Sequence, residues 1–553
     1  MPWNQNYTAL GGSVFLTALV VAIPIFFLFW ALAIKRMKGH IAGWLTLLIA
    51  IVDVVLVYKM PVGIAISSSL LGVVNGLFPI GWIVLTAVFL YNLTVEAGQF
   101  EIIKSSISSI SSDRRMQALL IAFSFSAFME GAAGQGAPVA IAAAMLIGLG
   151  FPPLQAAIVC LVANTPPVPF GPVGTPTIMM SSVTGISDLL LAQGVGRNMS
   201  FIALIIPIFM LIVLAGWKNT KDVLPAAFVV GIGYAIPNIL ITQYLGVALP
   251  SIVSPIVSLI ALTVFLKFWQ PKTIWRFPNE GTSEDSKITY TSGQIFKAWS
   301  PFLVLMIVMG IWSTQGFKDL IAKKLQWFVN IPHWPGVDGL VMKTAPIVAK
   351  PAVYAASYKW DFFAAAGTAM LISALITMLI LKISPARGAK VFAQTFKQLV
   401  FSLITIASVL GLAYLANYSG MSYTLGLAFA STGVIFPVFS PVLGWLGVFL
   451  TGSVTSSAAL FGKLQQVTAG QLGLNPVLTT SANLIGGVMG KLISPQSIAI
   501  ACAATGLVGK ENEIFRRTSK YSLMLLGVVI VMILVQAYMF PGVIPEIASS
   551  AIH

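Results

Sequence analysis

Phe128-Met-Glu-Gly-Ala-Ala-Gly-Gln-Gly-Ala-Pro138 and Phe449-Leu-Thr-Gly-Ser-Val-Thr-Ser-Ser457 open the two regions whose reading decides the fold. Both regions, 128–180 and 449–501, are apolar overall yet crowded with Gly, Pro, Ser, Thr and Asn. The first continues to Ala163-Asn164, Gly171-x-x-Gly174 and Pro176; the second continues to Ala482-Asn483, Gly487-x-x-Gly490 and Pro495. Gly131 precedes Asn164 by 33 residues and Gly452 precedes Asn483 by 31, so order and spacing both recur. A lipid-facing helix cannot leave backbone N–H and C=O groups unpaired. Glycine and proline clusters at membrane depth must therefore be covered by protein or line a water-filled cavity. Paired interruptions in two halves of a chain mark a transporter's midplane site. The helix N-termini made there offer free N–H groups and positive dipole ends, which suit a carboxylate. One glycine pair alone would read as close helix packing; five features in register favour a cavity or re-entrant origin.

Outward from these regions, the 553 residues are 58% hydrophobic and 8% charged, with a mean hydropathy of +0.93. A soluble surface needs roughly 25% charged residues, so most of this surface faces lipid or other membrane helices. The net charge of +15 is not the aromatic-interleaved patch of a nucleic-acid binder. Its cations form short clusters between apolar runs: Lys35, Arg36 and Lys38; Lys267, Lys272 and Arg276; Lys382, Arg387 and Lys390. That is the pattern of loops facing the cytoplasm. Cys160 and Cys502 lie in apolar stretches without metal-ligand spacing and read as small packing residues.

Apolar runs of about 20 residues predict spans near 14–34, 41–58, 64–94, 116–129 with 137–150, 197–216, 223–242, 246–267, 300–316, 361–382, 398–416, 423–450 and 521–541. The first run has no charge before it and Lys-Arg-Met-Lys38 after it, the reverse of a cleaved signal. It reads as a retained span with the N-terminus outside. Arg516, Arg517 and Lys520 before the last span put the C-terminus outside as well. The polar stretch 269–298, basic at both ends, reads as a cytoplasmic linker between membrane halves 1–268 and 299–553. Lys318 to Lys343, with Trp327, Phe328 and Trp334, reads as an amphipathic segment at the outer interface. The expected fold is an all-α polytopic membrane protein of two repeated halves with broken helices.

Glu130 begins the first broken region with no cation near it in sequence. An isolated intramembrane carboxylate is expensive, which suits a proton carrier or a residue on the substrate path; a helix-end carboxylate at the interface is the plainer reading. Lys491 after Gly490 either meets a substrate carboxylate or snorkels to headgroups. Thr451, Ser453, Thr455, Ser456, Ser457, Asn164, Thr165, Asn483, Ser494, Gln496 and Ser497 are uncharged groups able to hold a carboxylate and a hydroxyl. Singly, each is as well suited to bonding its own helix. The backbone-exposing positions Gly131, Gly134, Gly136, Gly171, Gly174 and Gly487, with Gln135, complete the candidate set. Gly486-Gly-Val-Met-Gly-Lys491 has the wrong spacing for a phosphate loop, and Leu492 stands where Ser or Thr is required. Three histidines, no His-Glu-x-x-His and no Gly-x-Ser-x-Gly argue against an enzyme. No cofactor or metal is expected.

At these motifs the chain resembles the L-lactate permease family. The resemblance runs from Trp3-Asn-Gln-Asn-Tyr7 to the last span. It includes Tyr58-Lys-Met-Pro61, Glu130-Gly-Ala-Ala-Gly134, Asn164-Thr165, Gly444-Trp-Leu-Gly-Val-Phe-Leu-Thr-Gly-Ser453 and Ile493-Ser-Pro-Gln-Ser-Ile-Ala-Ile-Ala501. It implies uptake of lactate, glycolate or a related 2-hydroxy acid by proton symport across a bacterial or archaeal cell membrane. It also implies inverted repeats with re-entrant hairpins, as in the wider ion-transporter superfamily, and it leaves open a homodimer. The chain departs from the family pattern at three places. Gly-Phe-Gly is replaced by Gly134-Gln135-Gly136, and Gly-Ser-Asp-Thr-Ser-Ser-Asn by Gly452-Ser-Val-Thr-Ser-Ser-Ala458. An acid expected after Pro-x-Val-x is replaced by Lys350. A carrier of another small carboxylate, with altered or absent proton coupling, is the alternative. A passive channel is a third, although channels more often build a filter from several subunits than from an internal repeat.

Overall fold

The computed structural model describes residues 2–277 and 290–546, apart from Arg36, Gln135, Gly136, Gln315, Lys318, Asp319, 322–327 and Gly509. Ten helical stretches among the described residues are long and apolar enough to cross a membrane, and the chain is a multi-pass helical membrane protein. In chain order the helices are α1 Val14–Val21, α2 Ile23–Phe29, α3 Gly39–Val57, α4 Val62–Asn75, α5 Trp82–Glu96 and α6 Gln99–Ser108. Next come α7 Arg114–Gln117, α8 Ser126–Ala132, α9 Ala137–Gly148, α10 Pro153–Ala163, α11 Thr175–Thr184, α12 Asp188–Thr220, α13 Leu224–Tyr244 and α14 Pro250–Phe268. The second half holds α15 Ser292–Ser313, α16 Ala366–Leu381, α17 Pro385–Ser419, α18 Met421–Ala430 and α19 Phe436–Thr451. It ends with α20 Val454–Gln471, α21 Pro476–Lys491, α22 Pro495–Thr505 and α23 Glu511–Tyr538.

Each broken region has one order: helix, break, helix, turn, helix, break, helix. In the first it is α8, α9, α10 and α11; in the second it is α19, α20, α21 and α22. The packing between them is exchanged: α9 lies on α22 while α11 lies on α20, and α10 meets α23 while α21 meets α12. The outer helices trade partners in the same way, α3 packing on α17 and α16 on α5, with α6 against α15 and α18 against α1.

Several expected spans are divided. The 64–94 run is two helices joined through 76–81, where Phe78 leaves helical geometry. Gly72 and Gly76 set α4 against the α17 backbone at Leu410 and Ala407, too close for a side chain at either glycine. The 423–450 run is also two helices, α18 and α19, separated by a turn and a short 3-10 segment at 431–435. The 361–382 span begins only at Ala366, because Tyr358–Asp361 is a strand. The linker expected to reach 298 ends sooner: Thr291 and Gln294 form a reciprocal capping box that starts α15. Residues 278–289 of that linker lie outside the described residues.

The 318–343 segment, expected as an amphipathic segment at the outer interface, carries strands among its described residues. Its described part contributes β2 Phe328–Ile331 and β3 Val341–Lys343, while Lys318 and Trp327 lie outside the described residues. β3 pairs with β1 Trp3–Asn4 and with β4 Ala352–Val353, and β2 pairs with β5 Tyr358–Asp361. The N-terminal strand is thereby tied to the loop between α15 and α16. Gln5 extends the tie, its side-chain amide donating to the carbonyls of Asn417 and Tyr418 at the end of α17.

At the opposite end Asp113 and Arg115, both buried, form a two-point ion pair of 2.7 and 3.1 Å. Arg115 also donates to the carbonyls of Asn219 and Thr273, and Asp113 accepts from the Trp275 amide. The pair has no unmet lone pair to weaken it, and it fastens the strap after α14 to the ends of α7 and α12.

The tightest packing is α19 on α21, where backbone meets backbone. A side chain at Gly486 would press into the Pro441 carbonyl, one at Gly490 into Trp445, and one at Gly444 into Asn483. Overpacking of this kind costs about 1–3 kcal/mol, so Gly486→Ala is expected to lower the unfolding midpoint in detergent. Gly293→Ala, at a position with open space, serves as the control and should leave it unchanged.

Candidate functional site

Three helix ends converge where the two broken regions meet. Glu130 lies in the last turn of α8, Asn164 caps the C-terminus of α10, and Lys491 is the last residue of α21. A cation at a helix C-terminus meets the negative end of the dipole, so the site suits Lys491 before any side-chain partner is counted. The Lys491 ammonium donates to Glu130 Oε1 at 2.8 Å, and the Asn164 amide donates to Glu130 Oε2 at 2.8 Å. Ser126, one turn before Glu130, donates to Asn164 Oδ1 at 3.2 Å. The Glu130 and Lys491 side chains are only 4% and 16% exposed, so the pair sits where Coulomb attraction is strong and desolvation severe. Tyr234 of α13 lies within electrostatic reach of the same carboxylate, and its buried hydroxyl has no hydrogen-bond partner.

Glu130 has no cation near it in sequence, but it is not alone in the fold. Glu130 has its counter-charge 361 residues away in sequence. Lys491 does not snorkel to headgroups, because that carboxylate holds it inside.

A cavity of about 10 Å³ adjoins the pair, lined among others by Asn164, Thr165, Lys491 and Ser497. That volume admits about one water and must widen to take a carboxylate. Ser494 accepts from the Ser497 amide and starts α22 beside the cavity. The structure therefore brings together Glu130, Asn164, Thr165, Lys491, Ser494 and Ser497.

The remaining candidates are spread around this centre. Gly134 (φ +58°), Gly171 (φ +42°) and Gly174 (φ +82°) shape the breaks in conformations that favour glycine. Gly131 packs on the Ser251 backbone of α14, and Gly487 on Val448 of α19, so both work as close-packing positions. Ser453 caps α20 by accepting from the Ser456 amide, Ser457 donates to the Gly444 carbonyl, and Thr455 is half-buried between them. Gln496 is exposed and lies over Gly452. Asn483 is fully buried on α21 with both side-chain polar atoms unpaired. Gln135 and Gly136 lie outside the described residues. Lys350 is exposed in the loop between β3 and β4, and Lys359 pairs with Asp361 at 3.0 Å.

Two contributors escaped the sequence reading. Ser126 was findable, since it precedes Glu130 by one helical turn and shares its face; Tyr234 lies in another helix and left no local signal. Among the described residues no group of three His, Cys, Asp or Glu side chains is placed to hold a metal ion.

Residues 17–540 match the family model for L-lactate permease. The chain belongs to the L-lactate permease family. It is 48% identical to the L-lactate permease of Bacillus subtilis (strain 168), over 99% of this chain and 100% of that one. It is 46% identical to the glycolate permease GlcA of Escherichia coli (strain K12), over 98% and 99% of the two chains. Among solved structures, it is similar to the YdaH transporter of Alcanivorax borkumensis, with 14% identity and a TM-score of 0.45 over 86% of this chain and 89% of that one. MtrF of Neisseria gonorrhoeae gives 12% identity and a TM-score of 0.46 over 84% and 83%. As a member of this permease family the chain is not an enzyme.

Removing one member of a buried pair leaves the other uncompensated, at about 3–5 kcal/mol. Lys491→Met should therefore lower the unfolding midpoint in detergent far more than the double variant Glu130→Gln/Lys491→Met. A double variant as unstable as the single one would show that the two charges are not coupled.

Proposed function

We propose that the chain carries lactate, glycolate or a related 2-hydroxy monocarboxylate across the cell membrane in symport with a proton. The observation that supports this most directly is the Glu130–Lys491 pair between the two broken regions. A proton arriving on Glu130 discharges the carboxylate and releases the Lys491 ammonium and the Asn164 amide. The substrate carboxylate then takes the place of Glu130 on both donors. Thr165 and Ser497, which line the adjoining cavity, suit the 2-hydroxyl. When the proton leaves, Glu130 reclaims Lys491 and the substrate is expelled. In the two end states, Glu130 ionised or substrate bound, one negative charge faces one ammonium, so neither leaves a buried charge bare. The names of the relatives support the substrate class.

The same reading treats the halves 1–268 and 299–553 as inverted repeats, with α13 and α14 as an extra pair in the first. The exchanged packing supports it. So do the turns between the middle helices: the first lies near Arg114 and Phe277, with Phe151 against both. The second holds Asn475, which donates to the carbonyl of Pro545 near the chain's other end. Arg114, Arg115, Lys272, Arg276 and Arg387 gather at the end away from the N-terminal strand, which favours a cytoplasmic location for that end and an outward location for both termini.

Purified protein in proteoliposomes should accumulate labelled L-lactate when the outside is acidified. Glu130→Gln should lose the gradient-driven component about 10-fold or more while retaining lactate exchange. Absence of lactate uptake under either gradient would overturn the substrate assignment. Uptake indifferent to the gradient would leave the carboxylate and remove the proton, as the changed positions Val454 and Ala458 would favour.

A further inference from the structure

A second set of cations lies under the extramembrane sheet, outside the paired-charge site. Lys463 sits on α20, deep among its neighbours yet still partly exposed. That combination describes a side chain on the wall of a recess rather than on the outer surface. Its ammonium stands 5.5 Å from the ring of Tyr423 on α18, and Lys343 of β3 stands 5.3 Å from the ring of Tyr354. The two rings are themselves 6.3 Å apart, edge to face. Two ammonium groups thus converge on one aromatic pair, near enough for each to feel the other's charge.

No acid pairs with Lys463 or Lys343 among the described residues. Lys463 donates to Gln466 at 2.8 Å, which meets one of its three N–H groups. Cation–π contact contributes about 0.5–2 kcal/mol, less than the cost of holding two like charges together in a partly desolvated recess. An anion between the two lysines would supply the counter-charge that the aromatic rings do not.

The surroundings are rigid. Tyr7 packs on Tyr423 at 5.8 Å and donates to Gln5, which is tied to the end of α17. Tyr354 packs on Tyr418 at 4.5 Å. Beyond it, Tyr414 reaches Ser182 of α11 at 3.1 Å. A line of packed aromatic rings therefore runs from the sheet-capped face towards α11, which α20 meets at Gly462. Gly462, next to Lys463, lets α20 close on Met180 and Val183 of α11.

We propose that this recess is a second anion site, in which a small carboxylate rests against Lys463 and Lys343 on its way between the sheet-capped face and the Glu130–Lys491 site. The identity of the carboxylate rests on the transport reading above; the preference for an anion does not. A site of this kind raises the local concentration of substrate and sets its capture, so it governs half-saturation more than maximal rate.

Two readouts test the proposal on the full-length protein in proteoliposomes. In the first, Lys463→Gln and Lys343→Gln should each raise the half-saturation concentration for labelled L-lactate about 3–10-fold, with the maximal rate within about twofold. Lys463→Arg should stay near the parent. An unchanged half-saturation in both glutamine variants, with the parent active, overturns the proposal.

The second readout does not depend on lactate. Both natural cysteines are buried, so a Lys463→Cys variant reports on the recess through its own thiol. That thiol should react with a sulfonate-bearing methanethiosulfonate about 10-fold faster than with a trimethylammonium-bearing one. The preference should fall when Lys343→Gln is added. A ratio near one, or one favouring the cation, overturns the anion site. A parent without lactate uptake but with the sulfonate preference would sink the substrate assignment and leave the anion site standing.

Discussion

The architecture turns on one contact, the 2.8 Å pairing of Glu130 with Lys491. Each charge alone would be prohibitive where it lies, because the Born cost of a bare ion in low dielectric exceeds anything local packing returns. Together they are tolerable only at short range and with their remaining hydrogen-bonding capacity met. Asn164 supplies the second donor to the carboxylate, and Ser126 fixes the orientation of Asn164. The three helices that carry these groups must therefore end at one point. That requirement explains why α8, α10 and α21 all stop inside the protein instead of running on across it. The breaks are the geometric consequence of bringing two charges from distant parts of the chain to the same place.

Helix ends inside a membrane protein expose backbone groups, and the surrounding glycines meet that demand in two distinct ways. Gly134, Gly171, Gly174 and Gly452 have positive φ and turn the chain at the breaks. Gly444, Gly486, Gly487 and Gly490 are helical and let α19 and α21 approach until carbonyls touch the neighbouring chain. The first group makes the cavity possible and the second makes its wall stiff. A stiff wall matters because a pair of charges held within hydrogen-bonding distance can discriminate between ligands only if the donors cannot follow a poor one.

Much of this was legible in the residues. The hydropathy runs marked most spans, and the recurrence of Gly, Asn and Pro marked both broken regions. Glu130, Asn164 and Lys491 stood out because polar groups in apolar surroundings need a reason. Their pairing was not legible: it joins positions 130 and 491, and no local pattern records which distant charge meets which. The two uses of glycine were equally hidden, since Gly487-x-x-Gly490 and Gly171-x-x-Gly174 look alike while one packs a helix and the other turns a corner. Runs 64–94 and 423–450 misled because hydropathy measures burial and is silent on continuity; both stretches stay apolar across a break. The sheets escaped because their strands are two to four residues long, shorter than any periodicity can reveal.

The departures from the family pattern acquire a physical meaning against this geometry. Val454 and Ala458 lie in the first turns of α20, buried in the main apolar core, so the polar groups expected there give way to packing. Lys350 is exposed on the sheet-capped face, away from the charge pair. All three changes leave the Glu130–Lys491–Asn164 contacts intact. They alter instead the element that bears Lys463 and the face that bears Lys343. Against the expected pattern, a charge is missing from the start of α20 and one is added at the sheet-capped face. An excess of positive charge at that face draws anions of any kind, because Coulomb attraction at several ångströms is indifferent to what carries the charge. On the proposed mechanism, discrimination falls to the neutral pair deeper in, which would admit an anion by exchanging one carboxylate for another. Under the two proposals, attraction without selectivity at the surface and selectivity without net charge at the centre form a consistent division of labour, and the changed positions fall on the first while sparing the second.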